Sequence, residues 1–176
     1  DQVGNRPFGD RLSSLLSMDK LKIAATLNIL SPMTPMLFMG EEFGTTVPFD
    51  YFVDFSDEKL MRSIFEGRKR EFHSPDMPFP GKESFEKSKL PEPEQNELFA
   101  TYKTLLALRK KYPPKEGITT EDMVVENGEN WLYFHYPLAE ARLAILLAFE
   151  ETTIECEIRG EVLFSTQNLT KQWAFP

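Results

Sequence analysis

Several features that mark other classes of protein are scarce in this chain. Among its 176 residues it has one cysteine, Cys156, and two histidines. A single cysteine rules out a disulfide within the chain and fits a reducing compartment, which predicts a cytoplasmic location. Two histidines and one cysteine are too few for a typical zinc site, and we expect neither a metal nor a cofactor.

The chain also has no long apolar run, and it has fewer basic than acidic residues. No run approaches the roughly 18 apolar residues of a membrane-spanning helix, so we expect no membrane partner. The opening residues 1–5 have neither the basic nor the apolar region of a signal peptide. Twenty Lys and Arg against 28 Asp and Glu give a net charge of −8. An acidic surface repels phosphate backbones, so we expect no nucleic-acid partner, whereas a neutral ligand such as a sugar is compatible with it.

The chain does contain enough apolar material for a core. Hydrophobic residues make up 41 % of it, and 15 are phenylalanine. A chain of this length forms one large domain or two small ones and buries roughly 68–70 % of its unfolded surface. The composition therefore predicts a folded, globular protein.

The first half has the pattern of an α/β protein. Apolar residues at helical spacing follow Ser17, a plausible N-cap, and Pro32 ends the helix. Residues 35–39 form a short run that is apolar on both faces, which predicts a buried parallel strand. The run leads into Glu41 and Glu42, and acids after a strand would lie at the edge where α/β barrels place their active sites.

Two further helices and an irregular segment follow. Residues 57–70 read as a helix capped by Ser56, with basic residues in its last turn. Residues 74–95 contain five prolines and predict an irregular surface excursion. Residues 94–111 carry an apolar stripe and predict the clearest helix, which ends at the Pro113-Pro114 pair.

After residue 115 the apolar period changes to two. Five short strands are predicted, and Asn127-Gly128 is a strong hairpin signal. The strands cover residues 124–125, 131–135, 143–149, 153–158 and 162–164. The chain should therefore end in a small antiparallel β-domain.

The opening string Asp1-Gln-Val-Gly-Asn-Arg6, with Gly9-Asp-Arg-Leu12 behind it, resembles a conserved region of the α-amylase clan of glycoside hydrolases. Residues 30–44, Leu-Ser-Pro-Met-Thr-Pro-Met-Leu-Phe-Met-Gly-Glu-Glu-Phe-Gly, resemble barrel strand eight of that clan and its acidic end. Within the clan, Gln2 and the strings over residues 48–54 and 66–72 are similar to the malto-oligosyltrehalose trehalohydrolase family.

This resemblance implies a fold and its division into domains. Residues 1–114 would form the last strand-helix units of a (β/α)₈ barrel, and residues 115–176 a small antiparallel β-sandwich. Active sites of such barrels lie at the carboxyl ends of the strands, where the resemblance puts the opening string. A barrel fragment should expose apolar edges and need either the missing strands or self-association.

The resemblance also implies an activity, hydrolysis of the α-1,4 bond beside the trehalose end of malto-oligosyltrehalose. A retaining mechanism needs a nucleophile and a general acid about 5–5.5 Å apart. Asp1 matches only the third acid of the family, which stabilises the transition state, so the other two acids would lie in an upstream part of the same enzyme. Gln2, Asn5 and Arg6 are candidate substrate-binding residues, and Glu42 is a candidate support for an active-site arginine.

Other interpretations stay open at this point. The parent could be a 1,4-α-glucan branching enzyme or another α-amylase-family enzyme, and the chain alone would be a non-catalytic fragment without glycosidase activity. Arg6 could equally form a loop salt bridge. The aromatic residues of positions 43–52 could stack on sugar rings, although packing is the commoner role. The basic run 68–70 is interpreted as complementing the helix dipole.

Overall fold

The computed structural model describes residues 3–151, residue 154 and residues 160–166. They fall into two compact units: the first contains the described residues up to Ser17 together with Leu37–Ala100, and the second contains Met18–Met36 and the described residues from Thr101 onward. The helices are α1 (Leu12–Leu15), α2 (Met18–Leu30), α3 (Glu58–Glu71), α4 (Lys82–Lys87) and α5 (Glu97–Lys111), with 3₁₀ turns at Glu41–Phe43 and Thr120–Asp122. The strands are β1 (Val124–Asn127), β2 (Trp131–Pro137) and β3 (Arg142–Ala148).

The three strands form an antiparallel sheet in the order β1-β2-β3 within the second unit. Alternate residues of β2 and β3 are buried, as period-two patterning requires: Phe134, Tyr136, Ile145 and Leu147. Asn127 pairs with Leu132 across the β1–β2 hairpin, which confirms the hairpin predicted at Asn127-Gly128. The described part of the predicted β-domain is thus a three-stranded antiparallel sheet.

Helix α2 belongs to the same unit as the sheet, and two side chains fix its C-terminal end. The buried Tyr136 hydroxyl donates a hydrogen bond to the Leu30 carbonyl at 2.7 Å. Arg109 of α5 donates to four carbonyls that follow one another closely, those of Ile29, Ser31, Pro32 and Met33. The last carbonyls of a helix have no partner within the helix, and here side chains supply them.

The buried face of α2 agrees only in part with the stripe that the sequence suggests. That stripe contains Met18, Leu21, Ala24, Ala25, Leu27 and Asn28, broadened by Ile23 and Leu30. Ala25 and Leu30 are buried, but Met18 and Leu27 are exposed. The buried residues follow a helical spacing: Lys22, Ala25, Thr26, Ile29 and Leu30. Apolar residues lie on most sides of this helix, so the packing, rather than the pattern, selects the face that is buried.

The strand predicted over residues 35–39 does not form among the described residues. Residues 34–38 have no regular secondary structure and form no ladder with the other described residues. A strand requires a neighbouring strand for its backbone groups. The Met36 carbonyl instead accepts a hydrogen bond from the Asn28 side chain at 2.8 Å. Glu41 and Glu42 consequently begin a 3₁₀ turn rather than follow a strand.

Several predicted element boundaries also need correction. The N-cap of α3 is Asp57, not Ser56, because the Asp57 carboxylate accepts from the amides of Lys59 and Leu60. The segment 74–95 is not wholly irregular, since it contains α4. Residues 162–164 form no strand with other described residues. The strand predicted over 153–158 lies, apart from Ile154, outside the described residues.

Large apolar side chains are exposed repeatedly between residues 8 and 39. Met36 has 73 % of its surface exposed. The others in this stretch are Phe8, Leu12, Leu15, Met18, Leu27, Met33, Leu37 and Met39. This exposure of apolar side chains was expected for a barrel fragment. Among the helices of the described residues, none has the length and apolar character to cross a membrane.

Candidate active site

The candidate site begins with the opening string. Asp1 and Gln2 lie outside the described residues. From Val3, which is buried, the chain enters a turn in which the Arg6 amide donates to the Val3 carbonyl at 3.1 Å. Asn5 is exposed and Arg6 half-buried. Neither side chain has a hydrogen-bond or ion-pair partner among the described residues.

Gly9 connects this turn to the aromatic loop, which is the segment that carries the aromatic residues of positions 43–52. Gly9 has a φ of +61°, and its carbonyl accepts from the Phe49 amide at 2.9 Å. A Cβ at this position would lie 2.3 Å from the Phe49 carbonyl carbon and 2.6 Å from the Asp50 amide nitrogen. Only glycine combines this backbone conformation with such a close approach to another backbone.

Arg11 holds three parts of the first unit together. Its side chain is almost completely buried, with 2 % of the residue's surface exposed. Nη1 donates to the Met39 carbonyl at 2.8 Å, Nε donates to the Val47 carbonyl, and the guanidinium lies 5.3 Å from the centre of the Phe38 ring. Burial lowers the pKa of Arg11, while the charges of Glu41 and Glu42 oppose that change.

The two acids next to Arg11 are tied to their own backbone. A Glu42 carboxylate oxygen accepts from the Gly40 amide at 2.9 Å, and one from Glu41 accepts from the Phe38 amide at 3.2 Å. Burial raises the pKa of Glu41, and its hydrogen bond from Phe38 and the charge of Arg11 counter part of this effect. The buried Arg11 is therefore an electrostatic partner of both acids.

A second arginine reaches the opening turn from α3. The Arg68 guanidinium carbon lies 4.1 Å from the centre of the Tyr51 ring and 5.0 Å from that of Phe72. Its Nη2 donates to the Gly4 carbonyl across 3.5 Å. The Arg68 side chain therefore contacts residues outside its own helix, whereas the sequence suggested only a favourable interaction with the helix dipole.

The aromatic residues of this region pack mainly on one another. Phe38, Phe49, Phe52 and Phe85 form a chain of edge-to-face contacts with centroid separations of 5.1, 5.6 and 5.2 Å. Phe43 is buried. This arrangement favours packing, the commoner of the two roles considered for these residues, and it supports the loop next to Gly9.

Asp50 is a buried acid that the sequence did not single out. Only 4 % of its surface is exposed, and its amide donates to the Ser88 hydroxyl at 3.0 Å. Burial raises the pKa of its carboxyl, Lys87 and a hydrogen bond from Ser84 counteract the change, and Asp10 reinforces it. The Ser88 hydroxyl in turn donates to the Ser84 carbonyl at 2.7 Å, so Asp50 is joined to α4.

Three of the candidate site residues, Asn5, Arg6 and Glu42, lie in the first unit of the structure. The charge of Glu42 acts on Arg11, a residue to which the sequence alone assigns no role. Arg11 and Arg68 could have been noticed, since each lies in a string that carries the family resemblance. Neither string by itself indicates what its arginine contacts.

Comparison with known proteins gives a consistent result. The chain is 40 % identical over 169 residues to the malto-oligosyltrehalose trehalohydrolase of Saccharolobus solfataricus, covering 96 % of this chain and 28 % of that protein. The malto-oligosyltrehalose trehalohydrolase of Rhizobium sp. strain M-11 is 34 % identical, with 93 % of this chain and 29 % of the relative covered. This segment is related to malto-oligosyltrehalose trehalohydrolases.

The trehalohydrolase relationship is accompanied by a structural one. A crystal structure of a protein assigned to the α-amylases, from Salmonella typhimurium, matches with a TM-score of 0.86 and 32 % identity. The match covers 97 % of this chain and 31 % of that one, so the chain spans less than a third of the proteins it resembles. No family model matches the chain. The fold is thus like that of part of an α-amylase.

Proposed function

We propose that this chain is the C-terminal segment of a malto-oligosyltrehalose trehalohydrolase, a glycosidase that releases trehalose from malto-oligosyltrehalose. The observation that carries the proposal is the 40 % identity to a trehalohydrolase over 96 % of the chain. The whole enzyme would act in the cytoplasm on an α-glucan substrate. Residues 1–114 would contribute the last units of its barrel and residues 115–176 its β-sandwich domain.

The chemistry would follow the retaining mechanism. Asp1 would be the acid that stabilises the oxocarbenium-like transition state, while the nucleophile and general acid belong to the upstream part of the enzyme. Gln2, Asn5 and Arg6 would bind substrate hydroxyls, because amides and guanidinium groups form hydrogen bonds with polyols. The assignment is supported by the side chains of Asn5 and Arg6, which have no polar partner in the part of the chain that the structure describes. Glu42 would support the site through the buried Arg11.

The upstream part of the enzyme is also the partner proposed for the exposed apolar side chains of residues 8–39. A barrel closes only when each strand has neighbours on both sides, so residues 35–39 would gain their missing ladder from upstream strands. The same segment would lose its exposed apolar surface to the barrel interior.

The test is trehalose release by the whole protein and by its Asp1→Asn variant. Asn keeps the size of the side chain but removes its charge, so turnover should fall by about 10²–10³-fold, as for loss of one group that stabilises transition-state charge. Glucan branching without trehalose release would assign the protein to another α-amylase activity. A near-normal rate for Asp1→Asn would remove Asp1 from the site.

A further inference from the structure

Arg68 behaves differently from the basic residues beside it. Lys69 lies over Phe65 of its own helix, with Nζ 5.1 Å from the ring centre, and Arg70 Nε donates to the Glu66 carbonyl of its own helix at 3.3 Å. Both contacts stay within α3. Arg68 instead spans from α3 to the Tyr51 ring and the Gly4 carbonyl, and complementing the helix dipole requires neither contact.

The aromatic contacts of Arg68 restrict the orientation of its guanidinium group. A guanidinium that stacks on an aromatic face has its plane and its donors restricted. The Arg68 guanidinium is in contact with the rings of Tyr51 and Phe72, and its Nη2 donates to the Gly4 carbonyl. The bond is at the long end of the hydrogen-bond range, so it restrains the turn together with the packing of Phe49 next to Gly4 rather than alone.

The carbonyl that Arg68 contacts belongs to the opening turn. Gly4 lies between Val3 and Arg6, whose backbone groups close the turn, and it is three residues from Asp1 in the sequence. The turn also lies close to Phe49, since a Cβ on Gly4 would be 3.8 Å from Phe49 Cδ1. The turn is thus in contact with both the aromatic loop and a cation from α3.

We propose that Arg68 is a positioning residue for catalysis: through the Gly4 carbonyl it restrains the turn that directly follows Asp1 and Gln2 in the sequence, and with it the catalytic acid. This inference rests on the proposed role of Asp1, and it assigns Arg68 no contact with substrate. Displacing a reacting or stabilising group by about 1 Å costs as much as 10²-fold in rate, so a modest shift of this turn is sufficient.

The experiment is a double-mutant cycle in the whole protein, with trehalose release from malto-oligosyltrehalose as the assay. The variants are Arg68→Met, Asp1→Asn and the double variant, with Arg70→Met as the matched control on the same helix. Circular dichroism melting identifies any variant that is not folded at the assay temperature. Arg68→Gln replaces Arg68→Met throughout if the latter fails to fold, because Gln retains a shorter polar donor.

Arg68→Met should lower kcat roughly 10- to 100-fold, while Arg70→Met retains the wild-type rate. In the Asp1→Asn background, Arg68→Met should change kcat by less than about twofold, because the group that Arg68 positions no longer contributes. A merely structural role predicts instead that the two losses multiply.

Three results would overturn the inference, and they can be told apart. A wild-type kcat for Arg68→Met alongside an impaired Asp1→Asn removes Arg68 and leaves the proposed function intact. Losses that multiply in the double variant show that Arg68 acts independently of Asp1. A near-normal rate for Asp1→Asn defeats the role of Asp1 and the inference together.

Discussion

Arg109 provides a direct test of what stabilises the C-terminal end of α2. Its Nη1 donates to the carbonyls of Ile29, at 3.1 Å, and Ser31, and its Nη2 to those of Pro32, at 3.3 Å, and Met33, at 2.9 Å. Substitution by Ala removes every one of these donors at the end of α2. The last turn of α2 should then open more readily, while the rest of the chain is little affected.

The size of the effect can be worked out from these contacts. A hydrogen bond to a charged group contributes about 1.5–3 kcal/mol net. Two nitrogen atoms share the four acceptors, and the Met33 carbonyl is exposed and can return to water. We therefore count two bonds at the lower end of the range, which gives about 3 kcal/mol. That free energy corresponds to about a hundredfold change in an opening equilibrium.

Hydrogen exchange measures this opening at a single amide. The Ser31 amide donates to the Leu27 carbonyl at 3.1 Å and reports on the last turn of α2. Its exchange should accelerate about a hundredfold in Arg109→Ala, and by less in Arg109→Lys, which keeps the charge but loses the planar fork. The Met61 amide of α3 serves as an internal reference, and Lys110→Ala, at an exposed neighbouring position, as the control variant.

A Ser31 amide that exchanges within about twofold of the wild-type rate in Arg109→Ala would refute this reasoning. An equal acceleration at Ser31 and Met61 would also refute it, since the effect would then be global.

Two further predictions concern the first unit. Gly9→Ala should destabilise the protein by about 1–3 kcal/mol, because φ is positive and the new Cβ meets the backbone of Phe49; urea unfolding checks this against Gly67→Ala, where a Cβ meets nothing within 4 Å, and equal midpoints would contradict it. Burial raises the pKa of Asp50 above its ordinary value of 3.8, so the protonated carboxyl favours the folded state and its stabilisation is lost as pH rises through the folded-state pKa. Asp50→Asn should therefore gain stability relative to wild type as pH rises over that window, and an unfolding midpoint difference that is the same at every pH would show that Asp50 does not titrate there.

The elements that the sequence predicted well are those whose pattern is strong and local. The hairpin at Asn127-Gly128 depends on two residues, and the helices α2, α3 and α5 on long periodic segments with clear ends. The extents of α3 and α5 were accurate to within a few residues, although the cap of α3 lies one position later than expected. Local chemistry was sufficient in these cases.

The errors arise where distant residues decide the structure. The run 35–39 has the composition of a strand but forms no ladder within the described chain. Helix α4 has six residues, too few to show a period, and it is joined to Asp50 through the Ser88 hydroxyl. The face of α2 could not be read from its sequence, because apolar residues occur on most of its sides.

The candidate site shows the same division. The family resemblance placed Asp1, Gln2, Asn5, Arg6 and Glu42 as site residues from short strings, and those assignments stay predictions. The contacts of Arg11 and Arg68 required the fold, since each arginine donates a hydrogen bond to a carbonyl at least 28 positions away. A string of residues identifies an arginine as part of a pattern, but only the packing around it reveals the carbonyl it holds.

The four carbonyls bound by Arg109 also have a consequence for the order of synthesis. Arg109 follows Ile29 by 80 residues. At about 5–20 residues per second, a ribosome adds those residues in roughly 4–16 s. During that interval α2 lacks the bonds from Arg109 and Tyr136, and an isolated helix of 13 residues is marginal in water. The C-terminal end of α2 therefore gains its side-chain hydrogen bonds late in synthesis. A translational pause between these positions would prolong the time for which its carbonyls lack those donors.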